Sequence, residues 1–208
     1  MSKLNFPETL VGDNIILEKL SMFHAEELYQ GIEASRQHIS RWLSWLTPEY
    51  DMKAMQEFIE IKEEEFLEET NFAYTIVDKD TDEILGTIEI FSRNKGRVEL
   101  GYYLLENATG KGAMSEALNT LVEFAFEETP TIRVDLYTLE DNEKSMMVAK
   151  RNGFVFEGVH YHQQIDMDDS ILDGYRFVKL KDSSVMQKAK NIEDKLIDIY
   201  DVKCLKNK

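Results

Sequence analysis

The chain has 208 residues, of which 43% are hydrophobic and 11% aromatic, a composition that is typical of a globular domain and excludes a disordered chain. The formal net charge of -16 disfavours nucleic acid and anionic membrane surfaces as partners. Such a charge would attract a cationic substrate, and solubility is an equal alternative explanation for it. The one cysteine, Cys204, excludes an intrachain disulfide, and neither a signal peptide nor a membrane span is evident, so we expect a cytoplasmic protein.

The first third of the chain predicts one strand and two helices. Residues 10–20 predict the strand, and residues 23–35 predict a helix with one apolar stripe. The acidic segment 52–69 predicts a longer helix with a solvated glutamate face. Between the helices lie both tryptophans of the chain, Trp42 and Trp45, which would share one face of a helical turn. Both rings could be core anchors, but we expect one in the core and one in a pocket wall.

The middle of the chain predicts an antiparallel meander of three strands, over 72–77, 84–91 and 98–105, with one of its turns at 94–96. A loop with two glycines then leads into a helix and a further strand at 132–139. Because a helical crossover joins the strands before and after it, these two strands should pair in parallel. The apolar face of the predicted helix consists of Met114, Ala117, Leu118, Leu121 and Ala125.

The last part of the chain predicts a hairpin and a helix. Strands over 154–165 and 174–180 form the hairpin, with the acidic segment 166–169 as its turn. Residues 184–202 predict an amphipathic helix. Docking on the same chain is the role we favour for this helix, ahead of pairing in a homodimer or binding another partner.

The loop after the strand at 98–105 has the layout of an anion-binding site. The first N–H groups of a helix have no intrahelical partner, and the helix dipole adds positive charge there. Gly110 and Gly112 leave the backbone accessible, and Lys111 adds a cation. A pyrophosphate would fit this loop. An unliganded strand-to-helix turn is an equal alternative, since neither a Walker A loop nor a GxGxxG motif is present.

Several short motifs follow one another in this central segment. They are Thr109-Gly110-Lys111-Gly112-Ala113-Met114, Ser115-Glu116-Ala117-Leu118, Asp141-Asn142-Glu143-Lys144-Ser145, and Asn152-Gly153-Phe154 followed by Glu157-Gly158. In this order and spacing they resemble the GNAT acyltransferases, and within them the RimJ/RimL branch, which acetylates N-terminal amines of ribosomal proteins. The resemblance is continuous over 98–158 and looser over 10–180. The chain departs from the family loop at Thr109, where a longer polar residue is usual, and at Met114, where a small one is usual.

The resemblance implies a mixed α/β fold in which a central twisted sheet carries helices on both faces and splays between its two parallel strands. We expect this GNAT domain to span 1–182, followed by a helical extension over 183–208. Acetyl-CoA is the implied cosubstrate, with its pantetheine beside the end of the first parallel strand and its pyrophosphate on the loop and helix start. The implied cofactor-binding residues are Leu104, Leu105, Thr109, Gly110, Lys111, Gly112, Ala113, Met114, Asn142 and Ser145.

The reaction implied by the resemblance is direct attack of a primary amine on the thioester. Ser145 is then the residue that protonates the leaving thiolate, and Asn142 contacts the cofactor while it also caps a helix. Gln164 occupies the place of the glutamate base of the peptide-acetylating branch, and Trp42 and Trp45 belong to the segment that covers the acceptor pocket.

Glutamine cannot accept a proton at neutral pH, so the base must be another group. Glu99 is the carboxylate on the strand that enters the loop, and Tyr103, on the same strand face, is a further catalytic candidate that could donate a proton or line the pocket. Glu99 is therefore a candidate base or amine ligand, and a structural glutamate is an equal alternative. Glu89 or a chain of water molecules could replace it, and we count Glu89 and Gln164 as substrate-binding candidates.

Two histidines form a further candidate cluster. His160 and His162 alternate on one strand face near Asp166, Asp168 and Asp169. They could titrate together or bind a metal ion, but a third ligand at a fixed spacing is missing. We therefore predict no metal and interpret them as pocket or surface histidines, either of which could serve as the base.

These expectations lead to an acetyl-CoA-dependent N-acetyltransferase whose acceptor is a cationic amine, with a protein N-terminus as the expected substrate. Two alternatives remain open at this point. One is an acetyltransferase for small amines such as polyamines or aminoglycosides. The other is a CoA-binding or interaction protein without catalytic activity.

Overall fold

The computed structural model describes residues 4–94, 96–165 and 170–205, and eight strands in this part of the chain form one sheet. The strands are β1 Thr9–Val11, β2 Ile15–Lys19, β3 Asn71–Asp78, β4 Ile84–Asn94, β5 Arg97–Leu104, β6 Arg133–Leu139, β7 Val155–Ile165 and β8 Ile171–Leu180. The α-helices are α1 Ala25–Ala34, α2 Arg36–Ser40, α3 Met52–Leu67, α4 Ala113–Glu128, α5 Glu143–Arg151 and α6 Ser183–Ile199. Lys95 of one predicted turn and residues 166–169 of the other lie outside the described residues.

The sheet has the order β1-β2-β3-β4-β5-β6-β8-β7, and its only parallel pair within the described residues is β5 with β6. The predicted crossover is therefore confirmed, with α4 as its helix. The parallel register runs from Arg97 opposite Arg133 only as far as Leu100 opposite Leu136. Beyond that point the two strands separate, and this separation creates the cleft of the candidate site.

Alternation along the strands divides the core between the two faces of the sheet. In β3, Phe72 and Tyr74 point to the large cluster that includes the apolar face of α4, whereas Ala73 points to a second cluster beneath α1 and α3. Leu118 and Leu121 of α4 are fully buried in the first cluster. Helices therefore cover both faces, and the mixed α/β fold that the sequence predicted is confirmed.

The segment 10–20 differs from its prediction, because it forms the hairpin β1–β2 instead of a single strand. Glu116 in the first turn of α4 holds the hairpin turn: its Oε1 accepts hydrogen bonds from the N–H groups of Asn14 (2.6 Å) and Ile15 (3.2 Å). Burial alone would raise the pKa of Glu116, but these hydrogen bonds outweigh it and lower that pKa. A carboxylate that is distant in the sequence thus accepts hydrogen bonds from backbone N–H groups of the hairpin turn.

The C-terminal helix packs on its own chain, against β7 and β8. Met186 contacts the pair Val155 and Val178, and Glu193 is buried at the edge of β7. The Oε1 atom of Glu193 accepts a hydrogen bond from the N–H of Phe156 at 2.6 Å and pairs with the Nζ of Lys150 at 2.8 Å. The helix therefore supplies a partner to the edge strand, although the domain boundary at residue 182 stays a prediction.

In the part of the chain that the structure describes, each helix is too short or too polar to cross a membrane.

Candidate active site

The separated ends of β5 and β6 open into a cavity of about 660 Å³, which is in the range of small-molecule sites. Beyond Leu100, the edge of β5 that faces β6 has no ladder partner in the described strands, so its backbone groups are available to a ligand. The lining from the strands is Leu100, Gly101, Tyr102, Tyr103, Leu104, Tyr137, Thr138, Leu139, Gln163 and Gln164. The helices and loops contribute His38, Ile39, Trp42, Leu43, Thr109, Gly110, Met114, Asn142, Glu143, Lys144, Ser145, Met147, Val148 and Arg151.

The glycine loop borders this cavity at the N-terminus of α4. Gly110 and Gly112 have φ values of +80° and +88°, a left-handed conformation that favours glycine, and Gly112 caps the helix. A Cβ atom at either glycine would meet no atom within 4 Å among the described residues, so the conformation and not the space requires glycine. The loop therefore presents the first N–H groups of α4 without obstruction, as the anion-binding prediction requires.

The other residues predicted to bind the cofactor divide into two groups. Thr109, Leu104 and Met114 line the cavity, and Met114 is also buried in the core. Lys111, Gly112, Ala113 and Leu105 do not line it. Lys111 is exposed, whereas Ala113 is buried. The side chain of Leu105 points away from the cavity, toward Gly31 of α1, because it is on the opposite strand face from Leu104.

Ser145 is paired with a tyrosine inside the cavity. Its Oγ lies 3.0 Å from the phenolic oxygen of Tyr102, and its N–H donates to the Oδ1 of Asn142 at 3.1 Å, where Asn142 caps α5. Burial raises the pKa of Tyr102 to about 12, although the hydrogen bond with Ser145 acts in the opposite direction. Tyr102 is therefore protonated at neutral pH and can donate a proton to Ser145.

Sequence reasoning did not single out Tyr102. Alternation places Tyr102 on the same face as Val98 and Leu100, which are core residues, whereas the predicted candidate, Tyr103, shares a face with Glu99. Tyr102 nevertheless reaches the cavity because β5 extends past the end of its pairing with β6. The sequence does show that Tyr102 follows Leu100 by two residues on the same strand face. It does not show that the pairing of β5 with β6 ends at Leu100.

The aromatic residues near the cavity are arranged differently from the prediction. Helix α2 ends at Ser40, so Trp42 and Trp45 do not share a helical face, and neither is in the core. Trp42 lines the cavity beneath the guanidinium of Arg41, at 4.7 Å. Trp45 is 42% exposed and packs on Tyr103, with 5.9 Å between ring centroids, and Tyr103 itself lines the cavity.

The two candidate carboxylates have different surroundings. Both oxygens of Glu99 accept hydrogen bonds from Arg93, at 2.6 and 2.8 Å, and Glu99 lines a smaller neighbouring cavity instead of the main one. The Oε2 of Glu89 accepts from Asn71 at 2.8 Å and pairs with Lys62 at 3.0 Å. Its Oε1 lies 3.0 Å from where a Cβ of Gly101 would be, and Gly101 lines the main cavity.

The hairpin β7–β8 contributes the remaining predicted residues. Gln164 lines the main cavity. A register shift between His160 and Gln164 and the left-handed φ of +55° at His162 break the alternation, so the two histidines do not form the predicted pair. His160 packs edge-on against Tyr137 at 4.8 Å and lines the smaller cavity, while His162 is exposed. Asp166, Asp168 and Asp169 of the proposed cluster lie outside the described residues.

Comparisons with known proteins agree with this geometry. The family model described as Acetyltransferase (GNAT) domain matches residues 14–155. An uncharacterized N-acetyltransferase, p20, of Bacillus licheniformis is 27% identical over 84% of this chain and 97% of its own length. The ribosomal-protein-serine acetyltransferase of Escherichia coli (strain K12) is 28% identical over 71% of this chain and 83% of its own. A crystal structure of the microcin C7 self-immunity acetyltransferase MccE with acetyl-CoA and AMP superposes with a TM-score of 0.75 at 25% identity, over 81% of this chain and 93% of that one.

Proposed function

Because the chain belongs to the GNAT acetyltransferase family and resembles its RimJ/RimL branch, we propose that it transfers the acetyl group of acetyl-CoA to a protein N-terminal α-amine. The observation that carries the proposal is the Ser145–Tyr102 pair inside the cavity, beside the free edge of β5. A proton donor is what the departing thiolate of an acyl transfer needs. The similarity to a ribosomal-protein-serine acetyltransferase supports a peptide acceptor.

The residues present fit acetyl-CoA, which supplies a thioester activated for attack by an amine. The glycine loop at the N-terminus of α4 would hold its pyrophosphate through the N–H groups that have no intrahelical partner. Leu104 and the free edge of β5 would hold the pantetheine, with Asn142 and Ser145 on the opposite wall. Backbone N–H groups on that edge can also stabilise the oxyanion that develops at the carbonyl.

Protons move at two atoms in this reaction. The attacking amine nitrogen loses one as its bond to the acetyl carbon forms, and the sulfur gains one as the C–S bond breaks. Ser145 donates the proton at the sulfur and recovers one from Tyr102, which is protonated at neutral pH and regains its own proton from solvent. At the amine we assign the accepting role to Glu89, acting through a water molecule over Gly101. Arg93 engages both oxygens of Glu99, whereas Asn71 and Lys62 engage only the Oε2 of Glu89 and its Oε1 faces Gly101.

Glu89→Gln is expected to lower kcat by at least about tenfold with little change in the dissociation constant of acetyl-CoA. The amide keeps the size of the side chain but cannot accept a proton. Steady-state rates with saturating peptide and acetyl-CoA measure the effect. Glu65→Gln is the matched control, since Glu65 shares the partners Lys62 and Asn71 but is on α3. Equal losses in both variants would show that the Lys62 network acts structurally and would remove Glu89 from the reaction.

Acetyl-CoA binding to the purified protein tests the proposal first, by calorimetry. We expect saturable binding to the native chain and at least tenfold weaker binding to Gly110→Trp, because the indole would occupy the side of the cavity that Gly110 lines. Gly110→Ala is the control, as it introduces the same backbone strain at positive φ without the bulk. Absence of binding to the native chain would refute the acetyl-CoA assignment. Binding to the native chain would justify comparing N-terminal peptides with small amines as acceptors.

A further inference from the structure

A second cavity, of about 330 Å³, adjoins the first on the face of the sheet that carries Glu99. The residues that line it are Arg93, Arg97, Glu99, Tyr137, His160 and Gln163. Tyr137 and Gln163 also line the main cavity, so the two spaces share a wall. We call the second space the arginine pocket.

The arginine pocket lies on a layered network of charges. Four of the seven arginines of the chain converge here from four strands, and they are paired with three carboxylates. The arginines are Arg93, Arg97, Arg133 and Arg176, and the carboxylates are Glu99, Asp135 and Glu157. These groups sum to +1 in a chain whose net charge is -16. The network is therefore a local reversal of the charge of the protein.

The two carboxylates that pair with the pocket arginines, Asp135 and Glu99, are less exposed than those arginines. The side chain of Asp135 is fully buried and that of Glu99 is 15% exposed, whereas Arg93 is 49% and Arg97 30% exposed. Arg93 and Arg97 therefore present more accessible side-chain surface than the carboxylates they pair with, although Glu99 also lines the pocket.

These guanidinium groups retain free donors in fixed positions. Arg93 uses its Nε and Nη2 on Glu99, and Arg97 uses its Nε on Asp135. Among the described residues no acceptor engages Nη1 of Arg93 or either Nη of Arg97. Arginine suits planar anions because it donates two parallel hydrogen bonds, and holding it in place lowers the entropic cost of binding. The pocket therefore offers ready-made donors for an anionic oxygen group.

We propose that the arginine pocket binds an anionic oxygen group, a carboxylate or a phosphate, of the acceptor whose amine occupies the main cavity. This inference rests on the proposed function, because it needs an acceptor in that cavity. The proposal refines the expectation of a cationic acceptor. The net negative charge of the protein attracts the amine of the acceptor, whereas the arginines of the pocket select an acidic group close to that amine. An ion-pair network that served stability alone would need neither a cavity nor exposed donors.

Three acceptors that differ at one position test the proposal: the peptide amides Ser-Glu-Ala-Ala, Ser-Gln-Ala-Ala and Ser-phosphoserine-Ala-Ala. We expect kcat/KM to be about tenfold higher for at least one acidic peptide than for the glutamine peptide, as one charge-assisted pair provides. The glutamate and phosphoserine arms distinguish a carboxylate from a phosphate. Arg97→Gln should reduce this ratio to about one, and Lys53→Gln, an equal change of charge on the exposed surface of α3, should keep it.

A second pair of variants guards against a folding defect. Arg93→Gln with Glu99→Gln removes an ion pair of the pocket without leaving a charge unpaired, and Lys53→Gln with Glu57→Gln removes an exposed ion pair of α3. The first should lower the ratio and the second should not. Equal kcat/KM for all three peptides in the native chain would overturn the proposal, as would a preference that survives both arginine variants.

Calorimetry with the same peptides and CoA-loaded protein separates this inference from the proposed function. Tighter binding of an acidic peptide that depends on Arg97, without acetylation of any peptide, would support the pocket and refute the proposed reaction. Acetylation of all three peptides with equal affinities would support the reaction and refute the pocket.

Discussion

Ser145→Ala is expected to lower kcat for acetyl transfer by about 100-fold or more, while the dissociation constant of acetyl-CoA changes by less than about twofold. The hydroxyl lines the cavity, and it lies 3.0 Å from the phenolic oxygen of Tyr102, from which it can regain a proton. Removing one oxygen leaves the wall of the cavity in place, so binding should persist. Steady-state kinetics and calorimetry on the same preparation measure the two quantities.

Ser115→Ala is the matched control for this prediction. Ser115 is on α4, close to the loop but outside the lining of the cavity, so the same chemical change should leave kcat unaffected. If Ser145→Ala retained more than half of the native kcat, water would be the proton donor and the Ser145–Tyr102 pair would have a structural role. If acetyl-CoA binding fell together with kcat, Ser145 would be a cofactor contact only.

Asp135→Asn is expected to lower the free energy of unfolding by about 3–5 kcal/mol, the usual cost of removing one partner from a buried ion pair. The Asp135 side chain is fully buried between Arg97 and Arg133, whose Nη2 is 2.6 Å from its Oδ1. The amide keeps the volume but not the charge, so two arginines would lose their shared counter-ion. Urea denaturation at neutral pH, followed by circular dichroism, measures the change.

Asp194→Asn on the exposed side of α6 is the control for the loss of one negative charge, and it should change the free energy of unfolding by less than about 0.5 kcal/mol. If Asp135→Asn lowered the free energy of unfolding by less than about 1 kcal/mol, Glu157 and solvent would be sufficient to balance the charge of the arginines. The charge network would then be loosely held, and the fixed donors on which the arginine pocket depends would not exist.

The main features of the fold could be predicted from local sequence patterns. Alternation of apolar residues located β3 to β6, and helical periodicity located α3 and α4, because burial on one face of an element imposes a local pattern. The glycines of the loop and the Asn-x-x-Ser motif at the start of α5 were also readable, since capping and left-handed turns restrict residue type. Residues 10–20 were the exception, because a three-residue strand is too short to show a period.

The side chains that meet in the site could not be predicted in this way, because long-range packing brings them together. Tyr102, not Tyr103, pairs with Ser145 because β5 continues beyond its last contact with β6, and the end of a pairing has no local signature. Glu99 is engaged by Arg93 of the neighbouring strand, which alternation within β5 cannot reveal. The arginine pocket was equally invisible, because the charges of its network come from the five strands β4 to β8, and only the register of the sheet brings residues so distant in the chain into contact.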